Sequence, residues 1–245
     1  MEKFEIIKLN EINSTNLHAT ALLSENQIKT PTIIIADYQN QGKGQGGSKW
    51  ESEAGKNLLF SIVIFPENIE PIEQFYLSKI TSIAIRETLS GHTKNVFIKW
   101  PNDIIVNNEK IGGILIENSI ENNKIRDTVI GIGINVNQTD FQSYSFIATS
   151  LKLLNARDFS PELLLADIIT NFEFWFEKLE DRSFDQIDKE YFSFLYGFQK
   201  KLSFKKDDAT FEATLVDVEK EGQLVLLMSN NKKQKFGFKE LEFVV

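Results

Sequence analysis

Between Val96 and Val136 the chain breaks into four strand-length runs, and no other stretch limits the fold as strongly. Val96 to Lys99, Ile104 to Val106, Ile111 to Ile116 and Thr128 to Val136 are dominated by β-branched residues. The pairs Asn107-Asn108 and Asn122-Asn123 fall in the gaps, and asparagine tolerates the positive φ that tight turns require. Runs this short, separated by such turns, predict neighbouring strands of one sheet rather than helices.

The remaining segments supply more strands and the helices that cover them. Phe4 to Leu9 alternates apolar and polar residues, and Thr32 to Ala36 and Asn57 to Phe65 read as buried strands. Asn13-Ser14-Thr15-Asn16 is a run of N-cap types before a helical stretch around Leu17 to Leu23. Pro71 opens a predicted helix whose mostly apolar face carries Ile72, Phe75, Tyr76, Lys79, Ile80, Ile83, Ala84 and Glu87. Ser160-Pro161-Glu162 starts another, with a stripe from Leu164 to Leu179, and a shorter helical piece spans Asp185 to Leu195. After Gly197, Leu202, Phe204, Phe211, Ala213, Leu215, Leu224, Leu226, Met228, Phe236 and Phe238 sit in short alternating strands between charged turns. The layout is α+β, a mixed sheet with helices over residues 1–196, followed by a small all-β module over 197–245.

Composition removes several function classes. A formal charge of −8 with no Lys/Arg-rich helix argues against a nucleic-acid-binding domain. The greasiest runs, such as Leu58 to Phe65, have the length of strands and not of membrane spans. MEKFEIIKLN lacks the basic and apolar regions of a secretory signal. There is no cysteine for a disulfide, a zinc–thiolate site or a thiol nucleophile, which fits a reducing cytoplasm. His18 and His92 form no ligand-spaced pair, and no G-x-S-x-G elbow occurs.

Four segments can carry chemistry. In Gly42-Lys43-Gly44-Gln45-Gly46-Gly47-Ser48-Lys49-Trp50, four glycines fall within six residues, more than a tight turn needs. Missing Cβ atoms let backbone N–H groups approach an anion, and Lys43 and Lys49 add positive charge. The Gly42-x-Gly44-x-x-Gly47 spacing matches the dinucleotide fingerprint, but no amphipathic helix follows to hold a pyrophosphate. Lys99-Trp100-Pro101-Asn102-Asp103 ends a strand; Asp103 there suits a phosphate-metal ligand, an acceptor for adenosine or a turn cap, the last favoured on local grounds. Lys110-Ile111-Gly112-Gly113-Ile114-Leu115-Ile116-Glu117 and Gly131-Ile132-Gly133-Ile134-Asn135 place glycines inside strands, where they weaken the sheet unless something must come close. Two such strands side by side make either a narrow apolar slot for a slim ligand or a surface for close helix packing.

Taken together, these segments resemble the biotin–protein ligase family, whose G-R-G-x-x-G-x-x-W loop, K-W-P-N-D motif, K-x-x-G-I-L-x-E strand and G-x-G-x-N strand occur in this order. Here they stand as GKGQGGSKW, KWPND, KIGGILIE and GIGIN, preceded by Ser14-Thr15-Asn16 in place of the family's S-T-N. The resemblance implies a catalytic domain related to class II aminoacyl-tRNA synthetases and an SH3-like C-terminal domain. It implies a biotin site at Ser14, Thr15, Asn16, Gln39, Gly42, Gly113, Gly131 and Gly133. The adenylate would be held by Lys43, Gln45, Trp50, Asn102, Asp103, Lys110 and Asn135, with Mg²⁺ on the ATP phosphates. Lys110, with Lys43, would be catalytic, and the acceptor would be a lysine of a biotin carboxyl carrier protein.

Two positions depart from the family pattern. Its first loop arginine is Lys43 here and the next basic position is Gln45, which removes the planar fork that grips carboxylate or phosphate in two places. Because the motifs begin within the first twenty residues, the winged-helix repressor domain of some members is not expected. A lipoate–protein ligase, a non-catalytic biotin sensor and a generic nucleotide-binding module are the competing readings. Self-association through an exposed sheet edge is left open.

Overall fold

The computed structural model describes residues 4–141 and 147–244. It is a mixed α+β fold built on a seven-stranded sheet and a separate five-stranded one. The first sheet comprises β1 (Glu5–Ile12), β2 (Thr32–Gln39), β3 (Leu58–Ile64), β4 (Val96–Lys99), β5 (Asp103–Val106), β6 (Glu109–Glu121) and β7 (Lys124–Ile134). Its order is β1-β2-β3-β7-β6-β5-β4, with β1 parallel to β2 and the other neighbours antiparallel. The four predicted central strands are therefore adjacent. Both asparagine turns adopt the expected positive φ, between 49° and 68°.

Period-two alternation divides the sheet into two faces. Ile33, Ile62 and Ile130 lie in register and join the main core, while Ile34, Val63 and Val129 pack with Ala19 in a smaller cluster on the other side. Over the main core lie α2 (Phe75–Ser90), α4 (Pro161–Glu180) and α5 (Phe184–Phe194). Over the smaller cluster lies α1 (Thr15–Ser24). The cap read at Ser160 is present, its hydroxyl accepting from Leu163 N at 3.3 Å.

Three local readings need correction. Pro71 opens a 3₁₀ turn over Pro71–Glu73, and α2 begins only at Phe75; Ile72 is 51 % exposed because it lies outside the helix face. A short helix, α3 (Leu151–Asn155), has no signature in the sequence, its apolar run being too brief to show a period. Phe238 follows the last long strands in a loop instead of lying in a strand, and packs on Trp100 and Phe75.

The second sheet comprises β8 (Lys201–Lys206), β9 (Ala209–Val218), β10 (Leu224–Met228), β11 (Lys233–Phe236) and β12 (Glu242–Val244), in the order β11-β10-β9-β8-β12. Its own interior, with Phe204, Leu215, Leu226 and Phe236, is continuous with the core beneath the larger sheet. The joint is specific as well as apolar. Trp100 Nε1 donates to Gly222 O at 2.8 Å, and Gly222 has φ +93°, with Phe75 2.6 Å from where a Cβ would stand. A glycine is required there both by conformation and by space.

Candidate active site

Register places the glycines. On the α1 face of the large sheet one cross-strand row runs Ile34, Ser61, Gly131, Leu115, and the next runs Ala36, Leu59, Gly133, Gly113, Asp103, Lys99. Three glycines at the centre of two adjacent rows leave a trough: a side chain on Gly131 would meet Asn16 of α1, and one on Gly133 or Gly113 would meet the Trp50 ring. Around it lies a cavity of about 850 Å³. Of the residues singled out in the sequence, Ser14, Thr15, Asn16, Gln39, Lys43, Gln45, Trp50, Asn102, Asp103, Lys110, Gly113, Gly131, Gly133 and Asn135 line it. Gly42 does not; it lies behind, where Trp50 O is 2.6 Å from the place of its Cβ and Trp50 N donates to Gly42 O.

The glycine-rich segment folds back on itself. Lys43 and Lys49 form an antiparallel bridge around a 3₁₀ turn at Gln45–Gly47, and Gly44 N donates to Ser48 O at 2.7 Å. This geometry carries the Trp50 ring onto the trough floor. A Cβ on Gly133 would lie 2.5 Å from the indole and one on Gly113 3.0 Å from it. The indole Nε1 is buried without a hydrogen-bond partner among the described residues, 2.9 Å from where a Cβ on Gly133 would stand.

The two ends of the trough differ in chemistry. At one end the start of α1 buries Ser14, Thr15 and Asn16, each 3 % exposed. Thr15 N donates to Gln39 Oε1 at 2.7 Å, which ties the helix start to the end of β2. At the other end Lys110 Nζ lies 2.5 Å from Asp103 Oδ1, and Lys99 pairs with Asp103 in the sheet register. Burial pushes the Lys99 ammonium below the ordinary lysine range and the Lys110 charge adds to this, while Asp103 acts against both.

Asp103 is thus not the turn cap that local reading favoured. A register shift between Ile104 and Ile105 sets Lys110 opposite Ile105 and brings its amine to the carboxylate. Asn102 donates to Ile114 O at 2.7 Å, which leaves its amide oxygen free to accept in the cavity. Asn135 donates to Thr149 O at 3.0 Å and holds the segment before α3 against β7.

Two contributions were invisible in the sequence. Ser61, wholly buried on β3, joins the polar end of the trough; in sequence it is one polar residue in a run read as core. Lys239 and Leu241 from the turn before β12, with Glu242 and Phe243 of β12, line the cavity, and Lys239 Nζ donates to Gly46 O at 2.5 Å. Only the docking of the two sheets brings these residues near the glycine loop.

Comparison with known proteins fits this geometry. The profile of the Biotin/lipoate A/B protein ligase family matches residues 9–135, more than half of the chain. The chain belongs to this family. Among ligase relatives, the Bifunctional ligase/repressor BirA of Bacillus subtilis is 30 % identical over 216 residues, covering 86 % of this chain and 65 % of the relative. The protein of the same name from Escherichia coli is 36 % identical over 127 residues, 51 % of this chain and 38 % of that one. The chain therefore spans a little under two thirds of the length of the Bacillus relative. In fold it is similar to the biotin protein ligase of Aquifex aeolicus solved with biotin and ATP, with a TM-score of 0.80, 24 % identity and 98 % of each chain covered.

Proposed function

We propose that this chain is a biotin–protein ligase, which joins biotin to ATP as biotinyl-adenylate and passes the biotinyl group to a lysine of a biotin carboxyl carrier protein. One observation carries the reading. A single glycine-floored trough has neutral hydrogen-bonding groups, Thr15 and Gln39, at one end and the Lys110–Asp103–Lys99 cluster at the other. A slim molecule with a neutral polar head and a carboxylate tail fits both ends at once, and the tail then lies among the charges. The C-terminal boundary is proposed at residues 196/197, with residues 197–245 forming an SH3-like domain that closes one wall. The proposed setting is the cytoplasm; no helix among the described residues is long and apolar enough to cross a membrane.

The biotin carboxylate oxygen would attack the α-phosphorus of ATP, forming a P–O bond as pyrophosphate leaves. Both reactants are anionic, so catalysis depends on fixed positive charge where they meet. In this reading Lys110 would touch the carboxylate and the α-phosphate together, and Lys43 would approach from the loop. Asp103 and the Asn102 amide oxygen offer hard oxygen donors. Together with the ATP phosphates they fit Mg²⁺, which is commonly held by one or two protein oxygens and by phosphate. In the second step the neutral amine of the acceptor lysine attacks the carbonyl carbon of the mixed anhydride and AMP leaves. A glycine loop folded over the trough would keep water from that anhydride.

The test is biotin-dependent pyrophosphate release with ATP and Mg²⁺, with lipoate as the alternative acid. Release with biotin alone is expected. Release with lipoate instead would turn the reading to a lipoate ligase, and biotin binding without pyrophosphate would turn it to a sensor.

Lys43 and Gln45 predict a difference from relatives with two loop arginines. The double change Lys43→Arg/Gln45→Arg restores forked donors, so biotinyl-adenylate is expected to leave the variant at least several-fold more slowly. Stopped-flow release that is equally fast in both proteins would sink this idea.

A further inference from the structure

The hydroxyls at the polar end of the trough cannot point their protons freely. Asn16 Nδ2 donates to Leu115 O at 3.2 Å and to Glu117 Oε2 at 2.8 Å, both acceptors only, so its amide cannot be turned over. The Asn16 Oδ1 that results faces Ser61 Oγ at 2.7 Å, and Ser61 must donate there. Ser61 Oγ is also 2.7 Å from Thr15 Oγ1. Its single proton is already committed, so that contact is made by the proton of Thr15. Gln39 Oε1, 3.1 Å from the same hydroxyl, accepts from Thr15 N and is the longer of the two acceptors open to the Thr15 proton, and neither turns that proton into the cavity. Thr15 Oγ1 is left with lone pairs alone for the cavity, and Gln39 with its Nε2 donors.

The place of Gly131 follows from the same chain. A Cβ there would run into Asn16 Oδ1, so the glycine seats the asparagine as well as thinning the floor. Ser61 lies directly across the sheet from Gly131. Serine, small and a donor, meets the Asn16 oxygen from that position without filling the trough.

We propose that Glu117, Asn16 and Ser61 form a hydrogen-bond relay that fixes Thr15 Oγ1 as an acceptor, making Ser61 a positioning residue that selects ligands presenting an N–H to Thr15. Ser61 and Asn16 act through Thr15 and not on the ligand. The inference rests on the biotin reading, because the cyclic urea of biotin supplies N–H groups beside a carbonyl that Gln39 Nε2 can reach. It goes beyond that reading in naming what sets the polarity of the site.

The test uses the full chain and three ligands: biotin and the two cyclic carbamates of the same shape, each with one ring N–H replaced by oxygen. Titration calorimetry on the wild type is expected to rank biotin at least 100-fold above the carbamate that puts oxygen opposite Thr15. In Ser61→Ala the Thr15 proton loses its shorter, 2.7 Å contact and keeps only the longer one to Gln39 Oε1, from which it can turn toward the ligand. Biotin should weaken about tenfold and the ratio should narrow to below tenfold. Ser61→Cys, of similar size and a poor donor, should also narrow the ratio and carries the test if the alanine variant does not fold. Either folded variant keeping the wild-type ratio overturns the relay, as does a wild type that binds biotin and both carbamates equally. A wild type that binds no biotin removes the biotin reading itself, a separate result.

Discussion

Replacing Lys110 by alanine is expected to lower biotin-dependent pyrophosphate release on the order of 10³-fold, roughly 4 kcal/mol of lost transition-state stabilisation. The size follows from position. Lys110 Nζ is held by Asp103 beside the glycine row, partly shielded from water at 28 % exposure, where a fixed charge acts more strongly than in bulk solvent. Biotin affinity should fall much less, since the neutral end of the trough is untouched. The fold should survive, because the lysine backbone is held independently: its N–H donates to Ile147 O and its carbonyl accepts from Thr149 N. Pyrophosphate assays and calorimetry on the same preparation separate these effects. Equal losses in binding and turnover would instead assign Lys110 to ground-state binding.

The second large effect is expected at Gly131. In Gly131→Ala the new methyl lands on the Asn16 amide, which three hydrogen bonds prevent from yielding. Moving Asn16 breaks those bonds and leaves buried polar groups without partners, each costing roughly 1–3 kcal/mol. Biotin affinity should therefore fall by on the order of 100-fold or more. A lower melting temperature should accompany it. The methyl would be an ordinary loss of slot volume if affinity fell while stability stayed unchanged. Thermal melting and titration calorimetry distinguish the two accounts.

Most of the strand and helix plan was legible because it is written in short-range terms. The asparagine pairs demanded turns, Ser160-Pro161 demanded a helix start, and alternation named the inward face of each strand. The misreadings occur where local signals are ambiguous. Pro71 suits a 3₁₀ turn as well as an α-helix, and Lys79 on an apolar face gave no hint of its partner. Lys79 is 1 % exposed, and its amine lies 2.5 Å from Asp188 on α5. A charge so buried is tolerable only with such a partner, and that pairing spans 109 positions.

For the site, the sequence by itself determined which residue types were available and that two glycine-bearing strands lay close together. Glycines inside strands, a lysine before one of them and an Asn-Asp pair after a proline are legible because each departs from what a plain strand needs. What only the tertiary structure decided was how they face one another. Cross-strand register put Gly131 and Gly133 on the same face as Ser61 and Asp103, and a one-residue slip would have turned every one of them away. The direction of the Thr15 proton and the arrival of Lys239 at Gly46 depend on partners 46 and 193 positions away respectively. Such contacts have no local signature, because hydrogen-bond direction and domain docking are set by the partner's place in space rather than by neighbours along the chain.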